Sequence, residues 1–301
     1  MHLPLSFLVL LLTQAATITG LTCNGRSELC PRLYSNVTQI GTHDSAFVGP
    51  SPFDNQDVSV TAQLDAGIRF LQAQVHDLLG LGTLYLCHTS CAARNAGTLE
   101  KYLVTVKTWL DAHPDDVVTL LLTNADFVDV SLFARVFERV GLDDLAYAPG
   151  KKLAVAEWPS LQTLIESGKR LVMFLDYQAD TSKAAYILPE FDYFFETPYN
   201  GTDAAFAPAS CALDRPPGLV DDGRMYIVNH LLQVEIDLLD VHILIPDRLR
   251  AHLTNAATGP GSVGAQADTC RAVWQRRPNL VLVDFFDVGD VFTAQATLNG
   301  F

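Results

Sequence analysis

The sequence predicts an α/β protein built as a single TIM-type β/α barrel, and three observations lead there. Short, nearly continuous apolar runs alternate with helix-like stretches along the chain, which is the pattern of a parallel sheet covered on both faces. About eight such runs fall within roughly 280 residues, which suits one barrel. No glycine-rich nucleotide fingerprint follows the first run, so an open doubly wound sheet is disfavoured.

The apolar runs expected as strands are residues 37–41, 68–75, 83–87, 116–122, 170–175, 193–196, 225–228 and 279–284. Helices are expected at 58–66, from a Thr98 cap to about residue 112 before Pro114, and at 130–140, 160–166, 246–256 and 265–275. Residues 50–52 (Pro-Ser-Pro) and 200–218 read as surface loops rather than domain boundaries, and no internal repeat interrupts the pattern.

Composition sets the surroundings. The chain of 301 residues is 49% hydrophobic and 18% charged, a globular balance that can bury a large core. Its formal charge of −14 disfavours a nucleic acid partner and electrostatic docking onto anionic membranes, and reads as a solubility trait. Residues 1–20 carry an apolar run followed by small and polar residues, the shape of a secretory signal peptide. The mature chain, residues 21–301, is therefore expected to be one secreted, extracellular domain. No apolar tail follows Val291-Phe292, so no lipid-anchored form is expected.

All six cysteines lie beyond the leader, and an even number in an exported chain points to three disulfides. Many pairings are open. Closeness favours Cys23 with Cys30 and Cys87 with Cys91, which leaves Cys211 with Cys270. A zinc site is the weaker reading, because Cys87-His88 lacks the paired spacing of such sites. Asn36-Val37-Thr38 and Asn200-Gly201-Thr202 are acceptor sequons for N-glycosylation, in keeping with export.

The chemistry gathers at strand ends. His43 and Asp44 follow the first apolar run, His88 closes Leu84-Tyr85-Leu86-Cys87, and Asp284 closes Leu280-Val281-Leu282-Val283. A parallel barrel would bring three such ends to one mouth. His230 also falls at the end of an apolar run and is expected to line the pocket, whereas His113, before Pro114, reads as a surface residue.

Gly41-Thr42-His43-Asp44-Ser45, Leu64-Asp65-Ala66-Gly67-Ile68-Arg69-Phe70-Leu71, Leu86-Cys87-His88, Val117-Val118-Thr119-Leu120-Leu121-Leu122 and Val283-Asp284-Phe285 together resemble the X-domain of phosphatidylinositol-specific phospholipase C. The likeness runs in order over nearly the whole mature chain, and is nearest to secreted fungal-type phospholipase-C-like phosphodiesterases. It implies a distorted barrel and acid–base cleavage of a phosphodiester. On that likeness His43 is the general base toward the attacking hydroxyl and His88 the general acid toward the leaving alcohol. Imidazoles suit both jobs because they titrate near neutral pH. Asp284 would hold the His43 tautomer, and Asp44 would assist.

The departures matter as much. Bacterial members place an Asp-x-Arg pair after the Gly-x-Arg-Phe segment, and animal members place acidic calcium ligands there; this chain has Gln72 and Gln74. At the end of the 116–122 run, where calcium-using members carry an acid, it has Asn124. Neutral amides hold calcium poorly and stabilise an anion less than a charged donor does. No cofactor and no tightly bound metal are therefore expected. Gln72, Gln74 and Asn124 become expected substrate-binding residues, and His76, on the face of Gln72 and Gln74, the candidate for the missing positive charge.

The leading reading is a secreted, metal-independent phosphodiesterase acting on a phosphoinositide or a related phosphodiester, a phospholipid or small-molecule substrate, with transient membrane-surface contact. A second reading is a catalytically silent secreted barrel that binds a head group or glycan. A sphingomyelinase-D-like enzyme shares the two histidines but requires an acidic magnesium site, which Gln72 and Gln74 do not provide.

Overall fold

The computed structural model describes residues 20–238 and 241–301, so the expected leader lies outside the described residues apart from Gly20. The strands are β1 (Gln39–Thr42), β2 (Phe70–Asp77), β3 (Leu84–His88), β4 (Arg94–Thr98), β5 (Val118–Asn124), β6 (Leu171–Leu175), β7 (Ile187–Pro189), β8 (Phe194–Glu196), β9 (Met225–His230), β10 (Gln233–Leu238), β11 (Val241–Pro246) and β12 (Leu280–Val283). The helices are α1 (Val60–Ala66), α2 (Leu99–Ala112), α3 (Val130–Val140), α4 (Leu161–Glu166), α5 (Glu190–Tyr193), α6 (Ala251–Thr254), α7 (Val263–Trp274) and α8 (Val291–Leu298).

Eight strands pair in the order β7-β6-β5-β2-β1-β12-β9-β8, and every pairing along that path is parallel. The sheet curls into a barrel whose strands follow chain order, with a seam where β7 and β8 are joined through α5. Capping side chains start the main helices where the sequence placed them: Ser59, Thr98, Asp129, Ser160 and Ser262 each accept an amide hydrogen from the first turn. Gly67 and Gly141 end α1 and α3 in left-handed conformations.

Side-chain alternation divides the core into two layers. Phe70, Leu121, Val172, Phe174, Phe194, Ile227, Leu280 and Leu282 point inward and fill the barrel. Their neighbours Leu71, Leu120, Leu122, Met173, Val228 and Val281 point outward, into the cluster that holds the helix residues Leu103, Val106, Phe133 and Phe137.

Two expectations are corrected. The run at 83–87 is β3, which lies antiparallel to the far half of β2, with Val75 opposite Leu86 and Asp77 opposite Leu84. It is a hairpin strand rather than a barrel strand; its place is taken by β7, whose three residues are too few to show a periodic signal. The helix expected at 246–256 is confined to α6, and Pro246 instead closes the antiparallel hairpin of β10 and β11. The β-branched residues Val234, Ile236, Ile243 and Ile245 alternate along that hairpin.

The disulfides are Cys23–Cys30, Cys87–Cys91 and Cys211–Cys270, the pairs favoured by spacing. The second closes the turn just after His88; the third ties the loop at 200–218 to α7.

Gly41, two residues before His43, has a steric reason to be glycine. A Cβ there would lie 2.3 Å from Phe70 Cδ1 and 2.6 Å from the Phe70 carbonyl oxygen. Gly41→Ala is expected to cost about 1–3 kcal/mol in urea unfolding, the range for overpacking a filled core; a variant as stable as wild type would mean that Phe70 has room to withdraw.

Candidate active site

The mouth is built from residues that follow the barrel-filling positions in inward parity. Beyond β1 the chain keeps ladder contact through His43, whose N–H donates to the Val283 carbonyl at 3.0 Å, and then turns at Asp44 with φ of 46°. Asp44 is fully buried; its N–H donates to Gln72 Oε1 at 2.7 Å, and its Oδ2 accepts from Gln74 Nε2 at 2.9 Å. The two glutamines thus hold the backbone and the carboxylate of one residue.

His88 reaches the same place from the opposite direction, because β3 runs back along β2 toward the mouth. Its Nδ1–H donates to the Phe53 carbonyl at 2.8 Å, which leaves Nε2 as the nitrogen facing the site. His43 Nδ1–H donates to Asp284 Oδ1 at 2.9 Å, which holds its ring with Nε2 toward the site in the same way. The two free Nε2 atoms converge on one oxygen, each 3.5 Å from Asp44 Oδ2. Asp44 Oδ1 and Asp284 Oδ2 are buried without a hydrogen-bond partner among the described residues, so both carboxylates keep unused acceptor capacity.

Asn55 is a member of this group that the sequence did not reveal. It is 1% exposed, donates from Nδ2 to Asp284 Oδ1 at 2.9 Å, and lies 3.2 Å from His43 Nδ1, so it anchors the carboxylate oxygen that orients the imidazole. Gln56 acts alongside it, donating to the carbonyls of His43 and Val283. Both sit in a loop, where no periodicity marks them.

A cavity of about 450 Å³ opens over His43, Gln72 and Gln74, and its far wall carries Asp176, Glu196, Tyr199 and Arg215. Arg215 donates to Asp176 Oδ2 at 3.2 Å and to both Glu196 oxygens at 3.3 Å. Its guanidinium carbon lies 5.7, 5.4 and 6.0 Å from the ring centres of Tyr177, Phe191 and Tyr199. Behind it, Glu190 is fully buried, and burial together with the neighbouring Glu196 pushes its carboxyl well above the usual range.

Asp176 and Glu196 carry a signal that sequence reading could have used: each follows a barrel-filling phenylalanine, Phe174 or Phe194, by two residues and so shares its inward face. Arg215 carries none. It arrives from the long loop through an isolated antiparallel bridge to Glu196.

Three expected pocket residues lie elsewhere. His230 sits in the outward parity of β9, 2% exposed, with its ring nitrogens against Gln266 Oε1 and the Thr254 carbonyl. Asn124 is outward on β5 and 1% exposed, and its amide is used on Val128 and Tyr177 backbone atoms. His76 has the inward parity but lies where β2 has overrun the barrel; it pairs with Asp126 at 3.0 Å and does not line the cavity.

A calcium ion of the kind held by animal members does not fit these residues. Gln74 turns its donor toward Asp44, Gln72 has its oxygen occupied by an amide hydrogen, and Asn124 faces away. Among the described residues no group of three or more His, Cys, Asp or Glu is arranged to hold a metal.

The electrostatics of His43 have a measurable result. Burial pushes its pKa down, but the Asp44 and Asp284 carboxylates outweigh that and raise it from 6.5 to about 9. A raised cationic group contributes its stabilisation fully below pH 6.5 and loses it as pH rises through about 9. The stability gap between wild type and His43→Gln is therefore expected to be about 3 kcal/mol larger at the acidic end of that window than at its alkaline end. Urea unfolding across the window checks this, and a gap that does not change with pH would contradict it.

The wider likeness agrees with this geometry. The family model described as PI-PLC X 1 matches residues 29–299. A PI-PLC X domain-containing protein 1 of Arthroderma benhamiae is 50% identical over 285 residues, covering 94% of this chain and 91% of that one. An uncharacterized secreted protein of the same organism is 45% identical over 286 residues, covering 92% of this chain and 64% of that one. The fold is shared with a phosphatidylinositol-specific phospholipase C from Listeria monocytogenes at a TM-score of 0.56 and 15% identity, over 90% of this chain and 96% of that one. With the family matched over almost its full described length, this chain belongs to the PI-PLC X family.

Proposed function

We propose that this protein is an exported phosphoric diester hydrolase that cleaves a phosphoinositide or a related phosphodiester by two-histidine acid–base catalysis. The observation that carries the reading is the convergence of His43 Nε2 and His88 Nε2 on Asp44 Oδ2, with each Nδ1 tied back to Asp284 or to the Phe53 carbonyl. His43 Nε2 takes the proton of the attacking hydroxyl, and Asp284 stabilises the resulting imidazolium through Nδ1–H. His88 passes its Nε2 proton to the leaving oxygen and keeps the Nδ1–H that holds it to Phe53. Asp44 positions both imidazoles.

The positive charge missing from Gln72 and Gln74 is assigned to Arg215 instead of His76. Arg215 is 20% exposed in the same cavity as His43, whereas His76 is committed to Asp126 outside it. Export is supported by the secreted relative and by three disulfides. Transient contact with a neutral membrane surface is supported by exposed Leu79, Leu81, Phe127, Tyr199 and Leu249 on the segments that follow the mouth ends of the strands, together with Ile236 on the β10–β11 hairpin. The silent head-group-binding barrel remains the second reading, favoured by the neutral side chains at Gln72 and Gln74.

Activity on phosphatidylinositol and on a bis-aryl phosphodiester, with and without chelator, decides between them. His43→Ala and His88→Ala are each expected to lower kcat/KM by about 10²–10⁴-fold, the contribution of a general acid or base. Arg215→Gln is expected to lower it by about 10- to 100-fold, the worth of one hydrogen bond to a charged group. Wild-type turnover no higher than that of the histidine variants would remove the enzyme reading and leave the binding one.

The pH profile tests the division of labour. A base must be neutral to accept a proton, so kcat/KM of the free enzyme is expected to climb with pH and to level off above about 9, the pH at which half of His43 has lost its proton. A profile that falls from neutral pH upward would assign His43 to the acid role.

A further inference from the structure

The closed end of the barrel, opposite the mouth, holds a cavity of about 500 Å³ that the proposed chemistry does not use. Asn36, Val155, Arg224, Arg276, Arg277 and Asn279 are among its lining residues. Asn36 is exposed at the end of a single 3-10 turn, and its side-chain amide makes no hydrogen bond among the described residues. Val155 lines the same cavity beside Asn36, its carbonyl accepting from Ser35 Oγ at 2.6 Å, and is 38% exposed although it is apolar. Arg276 is held by Asp221 at 2.6 Å and Arg224 by Asp222 at 2.6 Å, while exposed Arg277 donates to the Leu298 carbonyl at 2.7 Å.

Fixed guanidinium donors beside an apolar patch complement a sugar ring, whose hydroxyls accept hydrogen bonds while its C–H face covers carbon. Asn36 is also the acceptor of the sequon completed by Thr38. In the folded protein Thr38 is 3% exposed and donates to the Pro278 carbonyl at 2.7 Å, so the sequon is readable only before this region folds. Modification during export meets that condition.

We infer that Asn36 carries an N-linked glycan and that the first sugar seats in this cavity against Val155 and the arginines. In the transfer, a bond forms between Asn36 Nδ2 and the anomeric carbon as that carbon's bond to a lipid-linked pyrophosphate donor breaks. The amide loses one proton, and the lipid pyrophosphate leaves with the electron pair. The inference rests on the export reading and is independent of the catalytic one. Asn200, the other sequon asparagine, is exposed near the mouth but does not line the mouth cavity, so it serves as the comparison site.

The full chain is expressed in a secreting eukaryotic host, and peptides spanning Asn36 and Asn200 are read by mass spectrometry. A glycan at Asn36 is expected. Its enzymatic removal is expected to lower the melting midpoint by about 2–4 °C, the shift that corresponds to roughly 1 kcal/mol in a chain of this size. In Val155→Ser most of that difference should vanish. Asn36→Gln should match the enzymatically stripped protein. Exported protein unmodified at Asn36 overturns the inference alone, and a modified protein whose melting ignores sugar removal overturns the seating. Retention in the cell removes the export reading and this inference with it.

Discussion

Alternation of side chains along parallel strands is the constraint on which this molecule rests. Once Phe70, Phe174, Phe194 and Leu282 are committed to the barrel interior, the residue two places further along each strand must face the mouth. That single rule delivers Gln72, Asp176, Glu196 and Asp284 to one end of the fold. It equally sends Asn124 and His230 to the helical shell, whatever their chemistry suggests.

Around that frame the site depends on one buried carboxylate. Asp44 takes a left-handed turn, offers its N–H to Gln72 and receives a hydrogen from Gln74. Gln72 and Gln74 are therefore structurally employed: one accepts from the backbone of Asp44 and the other donates to its side chain. Across the cavity stands the positive charge of Arg215, which Asp176 and Glu196 hold in place among aromatic rings. Keeping several acids there is tolerable because Glu190 is pushed toward its neutral form by burial.

Much of this was legible in the sequence. The main helices start behind side chains that cap them, so α2 and α3 begin at Thr98 and Asp129, and α2 stops just before Pro114. His43, Asp44, His88 and Asp284 meet as their places at the ends of apolar runs suggested. The illegible parts have specific causes. The run that ends in His88 looks like any buried strand, and only pairing with the overrun of β2 makes it antiparallel. Asn55 and Arg215 come from irregular backbone, where position in space has no period in sequence. Strand β7 is shorter than the window in which alternation can be read.

The seam between β7 and β8 bears on behaviour at high concentration. An open sheet edge is a template on which another chain can add a strand. Here both edge strands are only three residues long, one of them ends in a proline that cannot donate, and the other is bridged by the loop carrying Arg215. A barrel left open for its far wall has thus had its borders blunted, so the gap that makes room for Arg215 is a poor place for two molecules to zip together.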